Sequence, residues 1–148
     1  MDDNYYNLEL TILSCLLQKP ELMKKSILDD KYFVKYKKLW IFMKSIYNKF
    51  GTFDCELMVS ISNNQYKIMD YIKLLIDKEP APSNFEKYQN QLIELYNQTK
   101  KEKYIIEEIY KIANELYVRN MTIDEFDYYY QKVLEKAEIL YEGDDKNE

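Results

Sequence analysis

Carboxylates are the only side chains in this sequence whose spacing could suggest catalysis or metal binding. The densest sets are Glu107-Glu108 and Asp124-Glu125-Asp127, and paired carboxylates can exchange protons with a substrate or bind a divalent cation. Adjacent residues on a helix, such as Glu107 and Glu108 or Asp124 and Glu125, point to different faces. We interpret the first set as a solvated helix face and the second as acids that complement a helix N-terminus.

No other group in the sequence offers an alternative active site. There is no histidine, which is the commonest general base and the commonest metal ligand. The two cysteines, Cys15 and Cys55, are isolated in apolar stretches, and two glycines are too few for a phosphate-binding loop. We therefore predict no catalytic, cofactor-binding or metal-binding residue, and a protein that is not an enzyme.

Lysines alternate with aromatic residues in the first third of the chain. Residues 19–49 carry nine lysines against three carboxylates, a net charge of +6, whereas residues 100–148 carry a net charge of −5. Such asymmetry favours electrostatic pairing with a protein, including another copy of the chain. Candidate contacts for a single-stranded nucleic acid or for a protein partner are Lys35, Lys37, Lys38 and Lys44. Nucleic-acid binding would use nearby rings for base stacking; alternatively, these rings are core and the lysines are simply solvated.

The elements that position these residues are all predicted to be helices, because Gly and Pro are scarce and apolar residues recur at helical spacing. Two Ser/Thr-x-x-Glu capping signals, Ser83–Glu86 and Thr122–Glu125, predict the starts of two long arms joined by a turn at 119–121. The predicted shorter helices before them span residues 4–18, 20–28, 33–49, 54–62 and 66–77.

The predicted fold class is all-α, with a compact bundle of about five to six short helices followed by a long C-terminal helical hairpin. We place the globular part at residues 1–79, the hairpin at 80–142 and a disordered tail at 143–148. The first arm would be roughly 50 Å long, which exceeds what a domain of this size needs for its own core. The excess predicts an assembly surface. Candidate interface residues on the hairpin are Ile109, Ile112, Leu116, Tyr117, Tyr128, Tyr129 and Tyr130.

Five short stretches, taken in order, resemble the N-terminal domain of the DnaB-type replicative helicases. The first, Glu9 to Leu17, is similar to that family's Glu-x-x-x-Leu-Gly helix, and Tyr32-Phe33 followed by 36–40 is similar to its Phe-Tyr and His-Arg-x-Ile-Phe segment. Residues 51–54, which read Gly-Thr-Phe-Asp, resemble that family's Gly-x-x-x-Asp turn with one residue fewer. Residues 82–88 resemble the start of a terminal hairpin, and residues 106–113 resemble the later part of its first arm.

The resemblance implies a non-catalytic domain that self-associates through its hairpin and binds replisome partners. It implies a homodimer or higher oligomer, and a replicative helicase, a primase or a loader as partners. The helicase-binding domain of DnaG-type primases resembles the same fold. An alternative is a free-standing phage-type modulator of a host helicase; an ATPase domain would follow only in a full-length helicase. Since no signal peptide or long apolar run is present, we expect a cytoplasmic protein without a membrane anchor.

Overall fold

The protein is all-α in the computed structural model, which describes residues 2–63 and 66–141. Within these ranges the chain forms six α-helices and three short 3-10 helices, with no strand. The α-helices are α1 (Asp3–Gln18), α2 (Lys37–Phe50), α3 (Cys55–Ile61), α4 (Tyr66–Lys78), α5 (Phe85–Arg119) and α6 (Ile123–Tyr141). The 3-10 helices span Pro20–Lys25, Asp30–Tyr32 and Pro82–Asn84. The fold class predicted from the sequence is confirmed.

Contacts within the chain divide it into two compact units, Met1–Ile93 and Glu94–Glu148, which we call the N-terminal unit and the C-terminal unit. The division falls inside α5, whose first residues belong to the N-terminal unit. The division at residue 80 stays a prediction about where the hairpin begins, and the predicted tail at 143–148 lies outside the described residues.

Helix α1 lies at the centre of the N-terminal unit, as its apolar pattern predicts. Ile12, Leu13 and Leu16 are completely buried, and the helix packs against α4 and against the 3-10 helix that follows it. The hydroxyl of Ser14 donates a hydrogen bond to the carbonyl oxygen of Leu75 in α4, which satisfies a polar group inside the core.

Several helix boundaries follow directly from local residue chemistry. Gly51 ends α2 with a left-handed φ of +75°, and its N–H donates to the carbonyl oxygen of Tyr47 at 2.7 Å. Asp54 caps α3 by accepting a hydrogen bond from the Leu57 amide at 2.7 Å. Thr122 caps α6 by accepting from the Glu125 amide at 3.2 Å. The capping role predicted for Thr122 is confirmed.

Three other boundaries differ from the sequence prediction. The segment after Pro20 forms a 3-10 helix that ends at Lys25 instead of an α-helix to Leu28. Helix α2 begins at Lys37, four residues later than predicted, because the preceding backbone amides are bound by a side chain of α1. The chain enters α5 through the Pro82–Asn84 3-10 turn, so the helix begins at Phe85.

The C-terminal unit consists of residues 94–119 of α5, the turn at 120–122 and α6. Asn120 adopts a left-handed φ of +53° at this turn, a conformation that asparagine tolerates better than most residues. The arms meet through Tyr104 of α5 and Tyr141 of α6, whose ring centroids lie 5.9 Å apart. Val133 and Ala137 of α6 are buried. The two predicted arms are therefore present as a helical pair.

Candidate interaction surfaces

The carboxylate sets that could suggest chemistry do not converge in the structure. Glu108 accepts from Lys111 at 3.1 Å, and this hydrogen bond and ion pair raise the pKa of the exposed lysine. Glu125 accepts from the Thr122 hydroxyl at 3.2 Å, whereas Asp124 and Asp127 are exposed at the start of α6. Among the described residues, no group of three or more Asp, Glu, Cys or His side chains is arranged to hold a metal ion.

The two cysteines are free thiols whose surroundings oppose ionisation. Burial raises the pKa of Cys15 to about 11. Burial and, secondarily, the charge of Asp54 raise the pKa of Cys55. Since the thiolate is the reactive form of cysteine, both side chains act at neutral pH as small apolar groups.

The lysine-rich segment keeps its aromatic rings in the core. Phe33 and Trp40 are completely or almost completely buried and stack at 4.5 Å with an interplanar angle of 11°. Tyr36 is also buried. Because stacking on bases needs an accessible ring face, these three rings cannot serve as a platform for a single-stranded nucleic acid.

The four candidate lysines of this segment divide into two groups. Lys35, Lys37 and Lys38 are exposed. Lys44 is half-buried and donates to Asp30 at 2.5 Å, and the same carboxylate accepts from the Trp40 indole N–H at 2.7 Å. These hydrogen bonds lower the pKa of Asp30, with Lys44 making the larger contribution. Lys44 is therefore a structural residue, and only the other three are available to a partner.

Glu9 is the most informative residue that sequence analysis did not single out as a site. Its side chain is completely buried and accepts hydrogen bonds from the backbone amides of Val34 (2.8 Å), Lys35 (3.3 Å) and Tyr36 (3.1 Å). Burial raises the pKa of Glu9, while the three amides act in the opposite direction. The sequence could have indicated this role, because Glu9 lies on the apolar side of α1 and a buried charge requires hydrogen-bond partners. Glu9 fixes the loop that carries the exposed lysines.

The seven candidate interface residues of the hairpin fall into two sets. The half-buried side chains are Ile109, Ile112, Leu116 and Tyr130. Exposed side chains are Tyr117, Tyr128 and Tyr129. Ile112 and Tyr129 also line a groove of about 440 Å³ near the turn, together with Met121.

A second apolar stripe on α5 was predicted only in part, because the sequence analysis gave Tyr117 as an interface candidate but not Ile106 or Tyr110. Ile106, Tyr110, Ala113 and Tyr117 recur at intervals of 4, 3 and 4 residues and therefore share one helix face, which we call the outer stripe. Ile106, Tyr110 and Tyr117 are 66%, 78% and 86% exposed. The half-buried residues of the helix recur on a different face, and they include Ile105, Ile109 and Ile112. Helix α5 thus has one apolar face that is half-buried and a second that is exposed.

None of the helices in the described ranges combines the length and the apolar composition that crossing a membrane requires. Comparisons with known proteins found no matching family model, no matching curated protein and no matching solved structure.

Proposed function

We propose that this chain is a non-catalytic scaffold domain of a cytoplasmic DNA-replication assembly, which self-associates through its hairpin and binds a replicative helicase, a primase or a loader. The observation that carries the proposal is the exposed outer stripe of α5. A large exposed aliphatic residue and two tyrosines on one helix face leave apolar area in water, and contiguous areas of this kind are typical of protein interfaces.

The length of α5 supports the same conclusion. The helix has 35 residues, and at about 1.5 Å per residue it extends roughly 50 Å. Its buried residues, Phe85, Gln89 and Leu92, all lie in the first eight positions. The helical turns of α5 after Leu92 contain no buried residue and therefore contribute little to a core.

The link to replication is supported by the residues that carry the resemblance to the helicase domain. Several of them have structural roles that specify this fold: Glu9 holds the loop before α2, Phe33 stacks on Trp40, and Gly51 and Asp54 form the turn between α2 and α3. These local roles are the observations that support the proposed link. The partner classes come from the resemblance and need a direct binding test.

Self-association can be tested by sedimentation or light scattering over a range of protein concentrations. We expect a dimer or larger species that dissociates on dilution, and we expect the Tyr110→Ser/Tyr117→Ser variant to self-associate more weakly than the wild type because it removes the two most exposed rings of the outer stripe. Tyr66→Ser is the matched control, since Tyr66 is 85% exposed on α4 of the N-terminal unit. A wild-type monomer at all concentrations, or assembly that the double substitution leaves unchanged, would refute the self-association.

The partner classes need a separate experiment. The purified chain is immobilised, and a replicative helicase, a primase and a helicase loader are passed over it one at a time. Saturable binding of at least one is expected. If none binds while the chain still self-associates, the replication assignment fails and the assembly role survives.

A further inference from the structure

The exposed lysines before α2 and in its first turn form a defined basic surface, which we call the lysine face: Lys31, Lys35, Lys37 and Lys38. Lys31 lies over the Tyr32 ring at 5.1 Å and Lys35 over the Tyr6 ring at 5.3 Å, which restrains both side chains. The backbone beneath is fixed by the Glu9 contacts. The part of the surface that carries Lys31 and Lys35 is therefore prearranged, so ordering this part on binding costs little conformational entropy.

Apolar side chains are exposed within the lysine face. Val34 is 46% exposed between Lys31 and Lys37, and Ile41 is 42% exposed one turn after Lys37 and Lys38 on the same side of α2. The nearby carboxylates are Asp29, which is exposed, and Asp30, which is bound by Lys44 and Trp40. A partner that matches the lysine face would combine carboxylates with an exposed aromatic ring or aliphatic side chain.

The chain itself carries such a partner at the start of α6. Asp124, Asp127 and Tyr128 occupy positions i, i+3 and i+4 on one helix face, and all three are exposed. Tyr128 is 59% exposed and Ile123, just before it, is 81% exposed. We call Ile123, Asp124, Asp127 and Tyr128 the acidic tip. It presents carboxylates beside an aromatic ring, as the lysine face requires.

We propose that the acidic tip of one copy docks on the lysine face of a second copy. In this contact Asp124 and Asp127 pair with Lys37 and Lys38, and Tyr128 packs on Ile41. The two surfaces differ, so the contact is heterologous and propagates into a ring or a filament. It deepens the proposed self-association by adding a head-to-tail contact to the one formed by the outer stripe, and it uses none of the outer-stripe residues.

A protein partner fits the lysine face better than a nucleic acid does. Its neighbouring Phe33, Tyr36 and Trp40 rings are buried and cannot stack on bases. The sole arginine of the chain, Arg119, belongs to α5 and pairs with Glu115 at 3.2 Å, so planar bidentate recognition of phosphate is absent from the lysine face.

A charge-swap experiment tests the contact. Lys37→Glu/Lys38→Glu reverses the basic side, and Asp124→Lys/Asp127→Lys reverses the acidic side. Each variant alone presents like charges across the contact, so we expect its head-to-tail affinity to fall about tenfold or more. In an equal mixture, each reversed surface meets a complementary one on the other variant. Recovery of large assemblies in the mixture, seen by sedimentation velocity, is the expected result.

Matched controls separate this contact from a general charge effect. Lys67→Glu/Lys87→Glu and Glu94→Lys/Glu107→Lys produce the same changes in net charge at exposed positions outside both surfaces, and they should assemble as the wild type does. Circular dichroism must show unchanged helicity, because lysine in the first turn of α6 opposes the helix dipole. If Asp124→Lys/Asp127→Lys loses helicity, Asp124→Asn/Asp127→Asn replaces it and should still weaken assembly.

The outcomes distinguish this contact from the outer stripe. In the Tyr110→Ser/Tyr117→Ser background, head-to-tail association should persist and should weaken with added salt, since exposed charges are screened. Failure of the mixture to recover, or assembly by each charge variant at wild-type strength, overturns the acidic tip–lysine face contact and leaves the outer-stripe proposal intact. The same conclusion follows if Tyr110→Ser/Tyr117→Ser abolishes assembly while the charge variants do not affect it.

Discussion

Replacing Glu9 tests whether one buried carboxylate holds the loop before α2. Its oxygens accept three backbone amides: Oε1 binds those of Val34 and Tyr36, and Oε2 binds that of Lys35 at the longest distance, 3.3 Å. Glu9→Gln keeps one acceptor oxygen and loses the weakest bond, while it also removes the cost of burying a charge. We expect it to lower the free energy of unfolding by about 1 kcal/mol.

Glu9→Ala removes all three hydrogen bonds and one buried methylene. At about 1 kcal/mol for each hydrogen bond and about 0.8 kcal/mol for the methylene, we expect a loss of about 3–4 kcal/mol. Urea denaturation at pH 7 measures both variants. Glu107→Ala, at an exposed position of α5, is the control and should stay within about 0.5 kcal/mol of the wild type. Equal losses for the Gln and Ala variants would show that the carboxylate does not hold the three amides.

The pH dependence of the same variants gives an independent check. Burial raises the folded-state pKa of Glu9, so the folded protein takes up a proton more readily than the unfolded chain does. Protonation of Glu9 therefore increases the free energy of unfolding as the pH falls through the raised pKa of the folded state. The increase is complete below the pKa that Glu9 has in the unfolded chain. Glu9→Gln lacks this titration. The difference in free energy of unfolding between the wild type and Glu9→Gln should therefore increase from neutral to weakly acidic pH. A decrease in this difference would contradict the raised pKa of Glu9.

Three further substitutions or reactions have defined expected results. Gly51→Ala should lower the free energy of unfolding by about 1 kcal/mol in thermal unfolding, because the residue needs φ of +75° and a Cβ there meets nothing within 4 Å, so strain alone acts. Thr122→Ala should cost about 1 kcal/mol by removing the α6 cap, with reduced helicity by circular dichroism; Thr122→Ser should retain both. In the native protein a thiol reagent at neutral pH should modify Cys55 before Cys15, which is buried and has its pKa raised to about 11. Equal rates for the two thiols in the folded state would contradict the burial of Cys15.

Periodicity and capping chemistry were sufficient to predict the helices and several of their ends. Gly51, Asp54 and Thr122 act locally, within four residues, so the sequence alone reveals them. The start of α2 could not be found in this way. Its position depends on Glu9, which is 25 or more residues away from the amides that it binds, and a contact of that kind has no signature in a local window.

The hairpin shows a second limit of reading a sequence. The apolar residues of α5 cover much of the helix surface, so spacing alone cannot decide which face meets the other arm. The structure places Ile109 and Ile112 in the half-buried set and leaves Tyr110 and Tyr117 exposed. The alternation of lysines and aromatic residues was ambiguous in the same way, because spacing alone cannot decide whether the rings are exposed for base stacking or buried. The Phe33–Trp40 stack shows that these two rings belong to the core.

The chain's single tryptophan provides an optical means of observing one unit at a time. Trp40 is buried against Phe33 in the N-terminal unit, and the C-terminal unit contains no tryptophan. Its emission will therefore report the loss of that stack, whereas far-ultraviolet ellipticity will report all the helices together. A denaturant titration followed by both signals will reveal whether the two units unfold in one step or in two, without any added label.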